Sequence, residues 1–195
     1  MRILITGANG QLGSDLQRTL ASHELILMDY PTFDLTKSSC EDQVTSAQPD
    51  VVIHAAAYTN VDGAERQPDI AMAVNAQGTD WVARGAVRAK ARLIYISTDY
   101  VFDGLKRTPY LESDLANPVN VYGRSKLEGE RLALELCSNS LVVRTSWLYG
   151  AHGKNFVKTM MRLAMEQPEL RVVADQWDVR RTLLIWHRHW SKCSE

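Results

Sequence analysis

Short runs of aliphatic and β-branched residues alternate along the chain with longer stretches in which apolar positions recur every three or four residues. The runs Arg2 to Thr6, Leu25 to Met28, Val51 to His54, Arg92 to Ser97, Leu141 to Arg144 and Arg171 to Ala174 read as strands. Between them, Gln11 to Ser22, Ser39 to Gln48, Asp69 to Lys90, Pro118 to Cys137 and Asn155 to Glu166 read as helices. The strand runs are apolar almost without interruption, so both faces of their sheet must be covered. Strand-helix alternation with such strands predicts an α/β fold: a doubly wound, Rossmann-like parallel sheet. No repeat or low-complexity linker divides the pattern, and one domain is expected over residues 1–176.

A chain of 195 residues, 45% hydrophobic and 23% charged, can bury roughly 70% of its unfolded surface in one core, which excludes a disordered tail. Its 22 basic and 23 acidic residues give a net charge of −1, which excludes the electrostatic footprint of a nucleic-acid partner. Cys40, Cys137 and Cys193 cannot all pair and form no C-x-x-C motif, so a reducing cytoplasm is expected. No apolar stretch approaches the ~20 residues of a membrane helix, and a first strand at Arg2 leaves no room for a signal peptide. The expectation is a soluble protein with no membrane partner.

Directly after the first strand comes Thr6-Gly7-Ala8-Asn9-Gly10-Gln11-Leu12-Gly13, a G-x-x-G-x-x-G loop that opens a helix. Glycine at 7 permits a tight turn, at 10 a close backbone approach to a pyrophosphate, and at 13 close packing of helix on strand. The helix amino terminus then faces the anion, and the strand-loop-helix context favours dinucleotide binding over a ligand-free turn. Asp29 follows the second strand at the separation needed to accept hydrogen bonds from the adenosine ribose. A carboxylate there repels a 2′-phosphate, and no Arg or Lys lies between Asp29 and Thr36, so local electrostatics favour NADH over NADPH. Asp34-Leu35 fits either an acid near the adenine amino group or a solvated loop carboxylate.

Tyr122 and Lys126 form a Tyr-x-x-x-Lys pair, and a spacing of four puts both side chains on one helical face. A phenol of reference pKa ~10 is a poor acid near neutrality; a neighbouring ammonium and an oxidised nicotinamide are expected to lower it. Tyr122 then protonates a carbonyl oxygen as hydride reaches its carbon, while Lys126 also holds the nicotinamide ribose. Ser97-Thr98-Asp99 ends a strand at the carboxyl edge, where open α/β sheets bind ligands, and a hydroxyl there orients the carbonyl. Each feature alone has an ordinary structural reading. The three together describe one reaction.

These residues resemble the extended short-chain dehydrogenase/reductase superfamily. Within it, Ala55-Ala56-Ala57-Tyr58-Thr59-Asn60-Val61-Asp62, Ser97-Thr98-Asp99-Tyr100-Val101-Phe102, Asn120-Val121-Tyr122-Gly123, Arg144-Thr145-Ser146-Trp147-Leu148-Tyr149 and Asn155-Phe156 are similar to the dTDP-4-dehydrorhamnose reductase family. The resemblance runs over about Met1 to Gln176. It implies Thr98, Tyr122 and Lys126 as the catalytic triad, and a cofactor held by Gly7, Asn9, Gly10, Gln11, Leu12, Gly13, Asp29, Asp34, Leu35, Ala55, Ala56, Ala57, Asn75, Tyr122 and Lys126. It also implies Tyr100 and Trp147 near the sugar nucleotide, NADPH or NADH as cofactor, and a dTDP-sugar as substrate. The implied reaction reduces the 4-keto group of dTDP-4-dehydro-L-rhamnose to give dTDP-L-rhamnose, a precursor of bacterial surface polysaccharide. Without the family, Trp147 reads as a core residue, Asn75 as a surface or capping amide, and Asp15 as a favourable charge at a helix dipole. The family places an interface Mg²⁺ near Asp15, whose partner acids lie beyond Gln176.

After Asp175-Gln176 the family continues with a G-x-P-T segment into a substrate-binding lobe, whereas this chain has Trp177-Asp178-Val179-Arg180-Arg181-Thr182. Residues 177–195 form an atypical tail with three of the five tryptophans and two of the five histidines. Restoring one guanine after the Trp177 codon lets the codons of Asp178 to His187 be reread, with permitted wobble bases, as GCPTYAADLA. The tail is therefore expected to be out of frame, most of the C-terminal substrate lobe missing, reductase activity low, and a homodimer weakened. Two other readings stand beside the reductase: a non-catalytic dinucleotide-binding module, as in the regulatory subunit of methionine adenosyltransferase, and another nucleotide-sugar reductase or epimerase.

Overall fold

Ile3, Ile5, Ile53, Ile94 and Ile96 alternate with Leu4, Val52, Leu93 and Tyr95 along three adjacent strands, and each set is buried on its own face of one sheet. The computed structural model describes residues 1–172 and the backbone of Arg181 and Thr182. Five strands, β1 (Arg2–Thr6), β2 (Glu24–Met28), β3 (Val51–His54), β4 (Arg92–Thr98) and β5 (Ser140–Thr145), pair in parallel in the order β2-β1-β3-β4-β5. Helix α1 (Gln11–Thr19) sets Leu16 on the isoleucine face. On the other face lie α2 (Ser39–Ala47), with Cys40 and Val44, and two further helices introduced below. This is the doubly wound, Rossmann-like α/β sheet that the strand pattern predicts. Its winding reverses between β1 and β3, which opens a crevice beyond their carboxyl ends.

The stretch read as one helix over Asp69 to Lys90 is instead α4 (Pro68–Met72), a π-helical turn (Ala73–Gln77) and α5 (Gly78–Arg88). Helix α3 (Val61–Arg66), six residues capped by the Asn60 side chain accepting from Gly63 N at 2.9 Å, is too short to show a period in the sequence. Helix α6 (Val121–Leu136) starts after Asn120, whose side chain accepts from Gly123 N at 2.7 Å. Helix α7 (Phe156–Glu166) starts after Asn155 in the same way. Arg171 and Val172 are not in a strand, and the rest of the run expected there lies outside the described residues. A short β6 (Leu148–Tyr149) pairs in parallel with β7 (Arg181–Thr182). Otherwise the expectations for the tail from Trp177 onward lie outside the described residues. No helix among the described residues is long and apolar enough to cross a membrane.

Candidate active site

The glycine loop sits where β1 ends against the loop after β3. Gly7 has φ +68°, and a Cβ there would stand 2.8 Å from Ala56 Cα, so only glycine lets the two loops meet. At Gly13 a Cβ would fall 2.2 Å from Gly7 O, inside the turn that starts α1. Gly7, Asn9, Gly10, Gln11, Leu12 and Gly13 line one wall of a cleft of about 820 Å³, and Ala55, Ala56 and Ala57 line its floor. Asp29, Asp34 and Leu35 border the same cleft. Asp29 accepts from Asn9 N at 2.6 Å and from Tyr30 N at 2.7 Å, which fixes a carboxylate against the loop. The Asp34 carboxyl is held below its ordinary range by the Thr36 hydroxyl and backbone N–H, and it pairs with Lys37 at 3.4 Å.

Across the cleft, Thr98 closes β4 while Tyr122 and Lys126 stand one turn apart on α6, all three lining the cavity. The Thr98 hydroxyl donates to Asp99 Oδ1 at 3.0 Å and accepts from Tyr100 N at 3.2 Å. Lys126 is 2% exposed; its Nζ donates to Ile96 O at 2.8 Å and lies 4.1 Å from the centroid of the Tyr95 ring. Burial lowers the Lys126 amine to about 7, only partly offset by Glu130 one turn further on. Burial likewise raises the Tyr122 phenol to about 12, against a hydrogen bond with Thr98 that works the other way. Burial thus works against the acidification expected from Lys126 and an oxidised nicotinamide, and Tyr122 keeps its proton at neutral pH.

Asn75 does not line the cleft. It is buried on the π-helical turn, accepts from Tyr58 N at 2.8 Å, and donates to Tyr58 O at 3.1 Å and Ser125 Oγ at 2.9 Å. Its amide thus ties the loop after β3 to α6, directly behind the Ala55–Ala57 floor of the cleft. Beside it runs a second buried chain of polar groups. Ala56 N donates to Thr6 Oγ1 at 3.2 Å, and Thr6 Oγ1 lies 2.7 Å from His54 Nδ1. On the other side of the ring, His54 Nε2 lies 3.2 Å from Thr79 Oγ1, which donates to Asn75 O at 2.7 Å. With its proton spent on Asn75, Thr79 must accept from Nε2, so Nδ1 accepts from Thr6 and the tautomer is assigned by the network. Burial pushes His54 down to about 3, keeping it neutral.

Tyr100 and Trp147 both line the cleft. Tyr100 packs edge-on to Tyr122 at 5.6 Å, and Trp147 packs edge-on to Phe156 at 5.3 Å. Trp147 has φ +49°, a left-handed conformation that costs a bulky residue energy and marks a constrained position. The side-chain oxygens of Ser97 and Thr145 are buried at the cleft without hydrogen-bond partners among the described residues. Two orphaned hydroxyls and a glycine cradle fit a polar ligand such as a nicotinamide dinucleotide. Sequence reasoning did not single out Thr145, nor the buried Glu130, which takes Arg144 at 2.6 and 2.9 Å and so joins α6 to β5. A Glu one turn after Lys126 on the same helix face was the available signal. Asp15 has one buried oxygen without a partner, but among the described residues no group of three acids, histidines or cysteines forms. The acids expected to join Asp15 at a magnesium ion, beyond Gln176, lie outside the described residues.

A glycine turn at the switch point of a parallel sheet, facing Thr98, Tyr122 and Lys126 across one cleft, defines a short-chain dehydrogenase/reductase domain. Residues 1–179 match the family model described as RmlD substrate binding domain. The dTDP-4-dehydrorhamnose reductase of Aggregatibacter actinomycetemcomitans is 47% identical over 179 residues, 90% of this chain and 61% of that protein. That of Escherichia coli K12 is 43% identical over 183 residues, 91% of this chain and 61% of the relative. The crystal structure of the Clostridium acetobutylicum reductase aligns with all of this chain and 70% of its own at 42% identity and a TM-score of 0.95. The Bacillus anthracis reductase, solved in complex with NADP, aligns over 98% of this chain and 69% of its own, at 43% identity and a TM-score of 0.94. This chain belongs to the dTDP-4-dehydrorhamnose reductase family, and spans about three fifths of the length of the curated relatives it matches.

Proposed function

We propose that the chain carries the cofactor domain and the catalytic acid of a reductase acting on the 4-keto group of dTDP-4-dehydro-L-rhamnose, yielding dTDP-L-rhamnose for surface polysaccharide. The observation that carries this reading is the meeting of Thr98, Tyr122 and Lys126 with the glycine loop around one cleft. When bound, a reduced nicotinamide supplies the hydride that adds to C4. Tyr122 gives its phenolic proton to the carbonyl oxygen, so the ketone becomes a secondary alcohol. Its raised pKa of about 12 keeps that proton loaded across neutral pH. The Thr98 hydroxyl orients the carbonyl. Lys126, whose amine burial lowers to about 7, stabilises in its protonated form the phenolate left by transfer.

Asp29 supports NADH as the preferred donor, because its fixed carboxylate suits a free ribose hydroxyl and Lys37 is engaged by Asp34. The tail supports a single-base slip: the family match runs over residues 1–179, two residues past the point where the reading frame is inferred to shift. The test is oxidation of NADH and of NADPH with dTDP-4-dehydrorhamnose, followed at 340 nm in wild type and in Tyr122→Phe. Turnover in the variant is expected to fall by ~10² to 10⁴. Undiminished turnover in Tyr122→Phe removes the acid assignment.

A further inference from the structure

Gln11 belongs by sequence to the dinucleotide loop, yet its carboxamide is spent on the opposite wall of the cleft. Its Nε2 donates to Leu148 O at 2.9 Å, and its Oε1 accepts from Asn155 Nδ2 at 3.0 Å. Asn155 Nδ2 also donates to Gly150 O at 3.0 Å, while its Oδ1 caps α7 by accepting from Lys158 N at 3.0 Å. Gly153, at φ +70°, completes the contact: a Cβ there would stand 3.1 Å from Gln11 Cβ. One amide pair, 144 residues apart in sequence, therefore fastens residues 146–155 onto the first turn of α1. That segment carries Trp147 in its left-handed conformation and contributes Ser146, Leu148, Gly153 and Lys154 to the cleft lining.

We infer that Gln11 and Asn155 are positioning residues that latch the Trp147-bearing wall to the glycine-loop helix, so that filling the loop with dinucleotide orders the surface that receives the sugar nucleotide. The inference rests on the dinucleotide reading above. Its physical basis is shared ordering: the amino-terminal turn of α1 loses freedom when an anion occupies its N–H groups, and the wall hangs from that turn. Neutral amides suit the task. A carboxylate at either position would face a backbone carbonyl, and at position 11 it would also lie beside the bound pyrophosphate.

The experiment is hydrogen-deuterium exchange of the 195-residue chain with and without NADH, with saturation checked independently by nicotinamide fluorescence. In wild type, NADH should slow amide exchange in residues 146–158 by about tenfold. Gln11→Met keeps a stem of similar length and the backbone N–H, and Asn155→Asp keeps the helix-cap oxygen. Gln11→Met removes the bond between the walls, and Asn155→Asp removes its donor together with the bond to Gly150 O. Both variants, measured with NADH bound, should lose that slowing in 146–158 while β1 and β3 remain protected. The double variant should be no worse than either single one. Slowing that persists in saturated Gln11→Met, additive effects in the double variant, or failure of Gln11→Met to bind at all overturns the latch. Absence of NADH binding by the wild type overturns the dinucleotide reading, and the latch with it, a result distinguishable from the others.

Discussion

A lysine held over the Tyr95 ring and bonded to Ile96 O destabilises the fold wherever it must carry charge there. Its folded pKa of about 7 lies below the ordinary lysine value of 10.5. Below pH 7 both folded and unfolded chains hold the proton and the full penalty applies. Between 7 and 10.5 the unfolded chain binds more protons, so stability rises with pH, and above 10.5 the penalty is gone. Lys126→Met should therefore stabilise the protein by about 2–4 kcal/mol at pH 6, with the gain fading as pH approaches 10. Urea unfolding across that range measures it, and a variant less stable than wild type at pH 6 would contradict the burial argument. Reductase turnover should fall in the same variant, since its side chain carries no charge for the phenolate. The Tyr-x-x-x-Lys spacing was legible because helical geometry is local. The direction of both pKa shifts was not, because desolvation is set by β4 and its neighbours, which spacing along α6 does not reveal.

The π-helical turn between α4 and α5 shows the same limit at the scale of an element. Apolar periodicity from Asp69 to Lys90 reads as one helix, since a π turn adds a single residue and barely disturbs the pattern. Its consequence is specific: Asn75 turns into the molecule and serves three groups, Tyr58 N, Tyr58 O and Ser125 Oγ. Asn75→Leu leaves Tyr58 N and Tyr58 O without their side-chain partner and Ser125 Oγ with only its bond to Tyr122 O, and should cost about 2–5 kcal/mol, read as a lowered urea midpoint at unchanged slope. Asn75→Asp keeps the acceptor for Tyr58 N but loses both donors, and should fall between the two. Equal stability of all three proteins would show that the turn is held by backbone alone. The five sheet strands, by contrast, were legible from their unbroken apolar runs. Helix α3 and strand β6 were not, because six and two residues are too few to carry a period.

Among the described residues, the cleft is lined by the glycine loop, by Thr98, Tyr122 and Lys126, and by Tyr100 and the segment around Trp147. A reductase of this kind uses binding energy from the nucleotide, remote from C4, to hold the carbonyl against Thr98 and Tyr122. The proposed slip after Trp177 replaces the residues that would supply such contacts with an unrelated reading of the same nucleotides in another frame. The frame-restored chain should therefore exceed the 195-residue chain in kcat/KM by ~10²-fold or more, while the two bind NADH with similar affinity because the glycine loop, Asp29 and α1 are common to both. Steady-state kinetics with dTDP-4-dehydrorhamnose and an NADH titration, run side by side, separate the two effects. Equal kcat/KM would mean that the cleft walls formed by residues 1–172 suffice for turnover, and a locus whose downstream codons contain no in-frame continuation would remove the slip itself.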